Sequence, residues 1–146
     1  MTEFRTILLA EDSHADAEMA IDALRDAKLV NPIVHVEDGV EAMDYLLRRG
    51  RFADRAEGHP AVLLLDIKMP RMDGLEVLQQ IRGDEKLRNL PVVILSSSRE
   101  ESDLAAGWNL GVNAYVVKPV DGDQFFQAVE VLGKLWAGIN EPPAMD

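Results

Sequence analysis

Four apolar runs of the sequence each end on side chains that could carry chemistry. The side chains at the ends of these runs are Glu11 and Asp12, Asp66, Ser96, and Lys118. Apolar runs without polar alternation are typical of strands covered on both faces of a parallel sheet. Because ligand-binding groups gather at the carboxyl ends of such strands, we expect the five side chains to share one edge of one sheet.

The types of these residues favour the binding of a metal ion and a phosphoryl group. Three carboxylates in one place would repel one another and raise one another's pKa unless a cation lay among them. Oxygen ligands suit Mg²⁺, which prefers to share a phosphate. Lys118 and Ser96 could then supply positive charge and a hydrogen-bond donor to a phosphoryl group, and the Asp66 carboxylate could attack phosphorus to form an acyl phosphate. A helix cap or a loop acid is the simpler alternative for Asp66 alone, and the other four residues weaken it.

Five predicted strands alternate with five predicted helices and must position these residues. The predicted strands are Thr6–Ala10, Ile33–Val36, the run from Val62 that stops at Asp66, Val92–Leu95 and Ala114–Val117. This order implies a right-handed βα unit repeated into a doubly wound parallel sheet of the α/β class.

Apolar periodicity and capping residues predict the helices. Ser13 is the predicted N-cap of the first helix, with Asp16 as its capping-box partner. The first helix is predicted to bury Ala17, Ala20, Ile21, Leu24 and Ala27, and the second, from about Val40 to Arg49, to bury Ala42, Met43 and Leu46. The third, capped by Asp73 and ended by Gly83, is predicted to carry Leu75, Leu78 and Ile81 on its apolar face, and the fourth to run from Glu100 to Leu110 and to stop at Gly111. The fifth, from about Asp121 to Ala137, is predicted to bury Phe125, Val129, Leu132 and Trp136. The arginine-bearing segment from Gly50 to Pro60 is predicted to be a long structureless loop, either a solvated surface or a docking surface.

The composition indicates one globular domain, residues 1–146, with a short tail over residues 138–146. Of the 146 residues, 47% are hydrophobic and 28% charged, the balance of an ordinary soluble domain. There is no cysteine, no signal-peptide pattern and no apolar run of membrane-spanning length, so we expect a cytoplasmic protein with no membrane association. The net charge of −11 argues against a nucleic-acid partner, because such a partner needs a basic surface.

Together these motifs resemble the receiver domain of two-component response regulators. They are Glu11-Asp12, the segment Asp66-Ile-Lys-Met-Pro-Arg-Met-Asp-Gly74, Ser96, and Tyr115-Val-Val-Lys118-Pro119. The resemblance covers nearly the whole chain. It implies a flavodoxin-like (βα)₅ fold with strand order 2-1-3-4-5. It also implies a signalling protein, not an enzyme with a separate substrate, whose only chemistry is its own phosphorylation and dephosphorylation.

The resemblance also implies roles for the acids. Asp66 would accept the phosphoryl group from a sensor histidine kinase. Asp12 and Asp66 would ligate Mg²⁺ together with the backbone carbonyl of Lys68, and Glu11 would act mainly through water. Signalling would follow from a change in the protein's surface, since no output domain is expected.

Further roles follow from the same resemblance. Lys118 would bind a phosphoryl oxygen, Ser96 would move toward the phosphate, and Tyr115 would be the aromatic switch that turns inward with it. The Lys118–Pro119 peptide would be cis. Ser96 stands where many receivers carry threonine, but the hydroxyl is retained.

The sequence also resembles a narrower group, the small regulators that accompany bacterial phytochrome kinases. The features in question are the arginine-bearing loop, the Ser96-Ser97-Ser98 run and the ending Phe-Phe-Gln-Ala-Val-Glu with a later Trp-Ala. This resemblance implies a phytochrome-type kinase partner. It also implies a homodimer through the last helix and neighbouring surface, with Phe126 and Trp136 as the contacts to test.

Lys68 and Ser98 flank the predicted phosphate position, and neither offers a carboxylate that could orient an attacking water. We therefore hypothesise a long-lived phosphorylated form. A haloacid-dehalogenase-like phosphatase is a second interpretation, but it needs an aspartate two residues after the nucleophile, where this chain has Lys68. A third is a constitutive interaction module with an inactive site. That interpretation is disfavoured because the nucleophile, the acid pair and Lys118 are all present.

Overall fold

Five parallel strands form a single sheet in the computed structural model, which describes residues 5–56, 58–121, 123 and 127. The strands are β1 (Ile7–Ala10), β2 (Ile33–Val36), β3 (Val62–Asp66), β4 (Val92–Ser96) and β5 (Ala114–Val117), in the order β2-β1-β3-β4-β5. The described helices are α1 (His14–Asp26), α2 (Gly39–Leu47), α3 (Gly74–Gly83) and α4 (Arg99–Gly107). The predicted fold class and strand order are confirmed.

The sheet separates two apolar cores because successive strand residues point to opposite faces. Leu9, Leu64 and Val93 belong to the core that α1 covers. Leu8 and Ile94 belong to the core covered by α2, α3 and α4. The three central strands β1, β3 and β4 are therefore buried on both sides, which explains why they read as continuous apolar runs, whereas β2 and β5 at the edges of the sheet are partly exposed.

Side-chain caps begin the four described helices and fix where each one leaves the sheet. The N-caps are Ser13, Asp38, Asp73 and Ser98, and each accepts a hydrogen bond from the backbone N–H three residues later. Asp73 forms a complete capping box with Glu76. The predicted cap at Ser13 is confirmed, but the capping box with Asp16 is wrong, because the Ser13 N–H donates to Glu11 Oε2 at 3.1 Å.

The predicted end of α4 and the predicted lack of structure before β3 are wrong. Helix α4 ends at Gly107, before the predicted Leu110, because Asn109 adopts the left-handed conformation (φ 54°) and turns the chain. The segment from Gly50 to Pro60 is not structureless. It begins with a 3₁₀ helix, Gly50–Phe52, and is held by the guanidinium group of Arg55.

The predicted last helix, with Phe125, Phe126, Val129, Leu132 and Trp136, and the tail over residues 138–146 lie outside the described residues. In the part of the chain that is described, no helix is both long and apolar enough to cross a membrane.

Four arginines donate hydrogen bonds to backbone carbonyls of the loops at the amino ends of the strands. We call these four arginines the arginine edge. They are Arg5, Arg25, Arg55 and Arg82. Arg82, for example, donates to the carbonyls of Leu90 and Leu110, both at 2.7 Å, and so joins the segments that lead into β4 and β5. Many loop and helix-end carbonyls lack a backbone partner within a helix or strand, and the five donors of a guanidinium satisfy several at once.

Candidate functional site

Three carboxylates meet at the carboxyl ends of β1 and β3. The two strands are neighbours and pair Ala10 with Leu65, so the residues that follow Ala10 lie beside Asp66. Glu11, Asp12 and Asp66 each offer an oxygen atom within 4.8 Å of the others. Glu11 and Asp66 are buried, with 0% and 3% of their surfaces exposed, whereas Asp12 is exposed. We call these three residues the acid cluster.

The donor set of the acid cluster fits a hard divalent cation. All of its ligand atoms are carboxylate oxygens, and nitrogen or sulfur ligands are absent from the cluster. Mg²⁺ and related ions take such oxygen ligands and retain waters on their open side. Asp12 provides that open side, because it faces solvent while the other two carboxylates are buried.

Lys118 directly follows β5, and its ammonium group lies beside the acid cluster. Its Nζ lies 2.6 Å from Glu11 Oε1, 3.2 Å from Asp66 Oδ1 and 3.1 Å from Asp16 Oδ2. Its side chain is 15% exposed. The peptide bond that follows Lys118 is cis, as the family resemblance implies. One ammonium group thus bridges three carboxylates, and the site keeps an excess of negative charge.

The pKa values of Asp66 and Lys118 reflect this crowding. Burial, together with the nearby charge of Glu11, raises the pKa of Asp66 to about 8, against the opposing effect of Lys118. Burial alone would lower the pKa of Lys118, but its bond to Glu11 and the charges of Asp66 and Glu11 outweigh burial and raise it. Lys118 is therefore a fixed cation, and a proton or a metal ion must compensate Asp66.

The turn after Asp66 is held against the carboxyl end of β3 by a glycine. The Gly74 N–H donates to the Ile67 carbonyl at 2.7 Å. A Cβ atom at Gly74 would lie 2.2 Å from the Asp66 carbonyl oxygen and 2.9 Å from Ile67 Cα. Only glycine fits this close approach, and it allows α3 to start directly below the acid cluster.

Ser96 ends β4, next to β5, and its hydroxyl is hydrogen-bonded to α4. Ser96 Oγ lies 2.5 Å from Ser102 Oγ, and both residues are buried. Ser97, in the loop after β4, donates hydrogen bonds from its backbone N–H and its hydroxyl to Glu101 of α4, both at 3.0 Å. The carboxyl end of β4 is thus tied to the first turns of α4.

Tyr115 and Lys68 lie on the elements that flank this site. Tyr115 is partly buried on the sheet face covered by α2, α3 and α4, the face that also carries Ile94, and burial raises its pKa. Lys68, in the loop between β3 and α3, has an exposed side chain whose Nζ lies 3.4 Å from Glu101 Oε2. That contact connects the loop after β3 to the first turn of α4.

The structure thus brings together four of the residues selected from the sequence, Glu11, Asp12, Asp66 and Lys118, and turns the Ser96 hydroxyl toward α4. Sequence reasoning missed the contact of Asp16 with Lys118 and the contacts of Glu101 and Ser102. Asp16 carried a usable signal, because it follows Asp12 by one helical turn at the same sheet edge. Ser102 carried no such signal, since a serine within a polar helix does not reveal which face is buried.

The fold and the site define a class of protein. It is a doubly wound (βα)₅ domain with a buried aspartate, an acid cluster suited to a divalent cation, and a lysine at one sheet edge. The family described as the response regulator receiver domain matches residues 7–130, and the chain belongs to it. Members of this family are signalling proteins of two-component systems.

Solved structures and a sequence relative show that the chain is similar to response regulators of phytochrome systems. The bacteriophytochrome response regulator RtBRR has a TM-score of 0.89 and 54% identity, over 96% of this chain and 84% of that one. The phosphorylated cyanobacterial phytochrome response regulator RcpA has a TM-score of 0.74 and 36% identity, over 97% of this chain and 99% of that one. Response regulator Rcp1 of Synechocystis sp. is 33% identical over 140 residues, 96% of this chain and 94% of Rcp1. A structure of the Mn²⁺-bound form of Rcp1 has a TM-score of 0.73 and 32% identity, over 96% of this chain and 99% of that one.

Proposed function

We propose that this receiver domain accepts a phosphoryl group on Asp66 from a histidine kinase, with Mg²⁺, and signals through a change in its surface. The position of Asp66 carries the proposal. Its side chain is 5% exposed, its Oδ1 atom lies 3.2 Å from Lys118 Nζ, and it shares the acid cluster with Glu11 and Asp12. A purely structural carboxylate would have its charge matched by a fixed partner, whereas this site holds more carboxylates than one ammonium group can balance.

The proposed chemistry is an in-line phosphoryl transfer. An Asp66 carboxylate oxygen attacks phosphorus as the P–N bond of a phosphohistidine breaks, and the departing imidazole keeps the electron pair. Lys118 neutralises charge that develops on the phosphoryl oxygens, and the Ser96 hydroxyl donates to one of them. Tyr115 follows the movement of Ser96 and carries the change to the surface. Phosphorylation and its reversal are the only reactions in this proposal.

Asp12 and Asp66 would hold Mg²⁺ together with the backbone carbonyl of Lys68, and Glu11 would contribute through water. When bound, the ion neutralises the acid cluster and the incoming phosphoryl group. The all-oxygen donor set within 4.8 Å supports this assignment, as does the Mn²⁺-bound form of Rcp1.

Phosphorylation by a small donor tests the proposal. The protein is incubated with acetyl phosphate and Mg²⁺, and the modified residue is located by mass spectrometry. We expect one added phosphoryl group on Asp66. The modification should not occur when a chelator removes Mg²⁺, nor in Asp66→Asn. Asp54→Asn is the matched control, because Asp54 is exposed in the loop that leads into the amino end of β3, whereas the acid cluster lies at the carboxyl end. A folded wild type that is never modified would favour a constitutive interaction module instead.

A long-lived phosphorylated form is part of the proposal. Water attack on an acyl phosphate is faster when a free carboxylate orients the water. The carboxylate that lies beside Lys68, that of Glu101, accepts hydrogen bonds from Ser97 and is paired with Lys68 itself. We expect the phosphoryl group to persist for minutes or longer at neutral pH in labelled protein. Loss within seconds would contradict this expectation.

The proposed phosphoryl donor is a phytochrome-type histidine kinase, as the similarity to RtBRR, RcpA and Rcp1 supports. Transfer from a purified bacteriophytochrome kinase to Asp66, compared under red and far-red light, tests this partner. The homodimer through the last helix is also a proposal, and its contacts Phe126 and Trp136 lie outside the described residues. Light scattering of wild type and Phe126→Ala, with and without acetyl phosphate, tests it.

A further inference from the structure

Ser102 on α4 is a buried polar residue that the proposed chemistry does not use. Its Oγ lies 2.5 Å from the Oγ of Ser96, and the two residues are 8% and 0% exposed. The other buried residue of α4 is Ala105. The shared hydrogen bond therefore joins α4 to the end of β4, in addition to the bonds between Glu101 and Ser97.

The backbone of Ser96 is fixed independently of this hydrogen bond. Ser96 pairs with Val117 in the sheet, and its carbonyl accepts a hydrogen bond of 2.7 Å from the Lys118 N–H. The hydroxyl can therefore change its partner by rotation about χ1 while the strand stays in place. While it is bonded to Ser102, it is held against α4.

We infer that Ser102 is a positioning residue that holds the Ser96 hydroxyl in its resting orientation, and that phosphorylation exchanges this bond for one to a phosphoryl oxygen. The inference rests on the proposed function, since it concerns the hydroxyl that would contact the phosphoryl group. It adds a resting-state partner on α4 to the residues of the site. Ser102 acts only through Ser96 and does not touch the reacting atoms.

Ser102 has an alternative partner once Ser96 leaves. Its backbone N–H already donates to the Ser98 carbonyl at 3.1 Å, and a helical serine hydroxyl can bond to that same carbonyl four residues earlier. The loop between β4 and α4 is meanwhile held by Glu101, which bonds to Ser97 and pairs with Lys68. The exchange therefore needs a side-chain rotation and leaves no buried hydroxyl without a partner.

The rate at which acetyl phosphate and Mg²⁺ phosphorylate Asp66 tests the inference. We expect Ser102→Ala to raise the initial rate by about 2- to 10-fold, the range that loss of one competing hydrogen bond sets. Ser102→Thr keeps the hydroxyl and should restore a rate near that of the wild type. Asp103→Ala is the matched control, because Asp103 is exposed on α4 and its replacement raises helix propensity without touching Ser96.

The same substitution is made in a Ser96→Ala background. With no hydroxyl at position 96, Ser102→Ala should leave the rate unchanged, whereas a merely structural effect of Ser102 would persist. Urea unfolding of four unphosphorylated proteins, the wild type, Ser96→Ala, Ser102→Ala and the double variant, forms a double-mutant cycle. We expect the two substitutions to be coupled by the equivalent of a 2- to 10-fold change in the unfolding equilibrium constant, about the contribution of one hydrogen bond.

Each contrary result has a distinct meaning. An unchanged rate in Ser102→Ala, an equal increase in the Ser96→Ala background, or a cycle with no coupling would each overturn the inference and leave the proposed function intact. A folded wild type that acetyl phosphate does not modify would overturn the proposed function, and the inference with it. Circular dichroism of every variant establishes that the compared proteins are folded.

Discussion

At the scale of single residues, the site is defined by an imbalance of charge. Lys118 faces three carboxylates, those of Glu11, Asp16 and Asp66, and Asp12 adds a fourth at the solvent side. Burial and Glu11 raise the pKa of Asp66 to about 8. Asp66 is therefore largely protonated at neutral pH until a metal ion binds.

Binding of Mg²⁺ should consequently depend on pH. Below about pH 8 the ion must displace a proton from Asp66, so we expect the affinity to rise about tenfold per pH unit from pH 6 and to level off above pH 8. Isothermal titration calorimetry in two buffers of different ionisation enthalpy measures both the affinity and the proton released. An affinity that is constant from pH 6 to pH 8 would contradict the prediction, and Asp66→Asn should remove most of the pH dependence.

The residues of the site were partly predictable. An acid, a hydroxyl or a lysine that directly follows an apolar strand must lie at the strand's carboxyl end, and this rule brought Asp66 and Lys118 together correctly. The contact of Lys118 with Asp16 joins residues 102 positions apart. It depends on the exact direction in which α1 leaves the sheet, which the sequence pattern does not specify.

At the scale of elements, the turn from β3 into α3 requires a glycine at position 74, because the backbone there lies close to Asp66. We expect Gly74→Ala to destabilise the protein by about 2–4 kcal/mol and to slow phosphorylation of Asp66, because the added Cβ would lie 2.2 Å from the Asp66 carbonyl oxygen and displace the strand end. Urea unfolding measures the first effect and the acetyl phosphate assay the second.

The control for this prediction is Gly83→Ala at the end of α3. Apart from the adjoining residues and the backbone of α3 itself, no atom lies within 4 Å of the Cβ position at Gly83, so alanine should be neutral or stabilise the protein by up to about 1 kcal/mol. Equal effects of the two substitutions would refute the role of close packing at Gly74.

The loop before β3 depends on Arg55. Its guanidinium group donates to the carbonyls of Tyr45, Ala56 and Gly58 at 2.6 to 3.0 Å and lies 4.2 Å from the Tyr45 ring centroid. Arg55→Lys keeps the charge but loses this set of donors, so we expect a loss of about 1–3 kcal/mol in the free energy of unfolding. Arg51→Lys, which alters an exposed pair with Glu41 at 3.4 Å, should cost less than about 0.5 kcal/mol. A similar cost for both would refute the prediction.

Most elements could be predicted because each strand is an uninterrupted apolar run and each described helix follows a capping residue. The predicted end of α4 was wrong because Gly111 looked like the stop, whereas Asn109 had already turned the chain. The loop from Gly50 to Pro60 is predicted to be structureless because its order comes from a short 3₁₀ helix and from arginine side chains bonded to backbone carbonyls, which leave no periodicity in the sequence.

At the scale of the whole molecule, the acid cluster lowers the stability of the fold that builds it. The pKa of Asp66 is about 8 in the folded protein and near 4 in an unfolded chain. The folded state therefore binds more protons between these values. As far as this group is concerned, stability is highest below about pH 4 and is lost progressively as the pH rises to about 8.

Asp66→Asn should remove that loss. We expect the variant to exceed the wild type in free energy of unfolding by about 1–3 kcal/mol at pH 8 without metal, with solvent screening at the open side of the site holding the gain below the full linkage value. The gain should shrink toward pH 5 and in millimolar Mg²⁺, which stabilises only the wild type. Urea unfolding at three pH values, with Asp54→Asn as control, measures it. A gain that does not vary with pH would contradict the assignment of the raised pKa.

The arginine edge has a consequence for how the molecule meets a partner. Its guanidinium groups lie at the amino ends of the strands and the acid cluster lies at the opposite ends, so these two groups of charges form a dipole along the strands, with its negative pole at the acid cluster. A positively charged surface that approaches in solution turns the molecule until that pole faces it. Encounters are thereby oriented before contact, and this advantage fades as added salt shortens the range of the field.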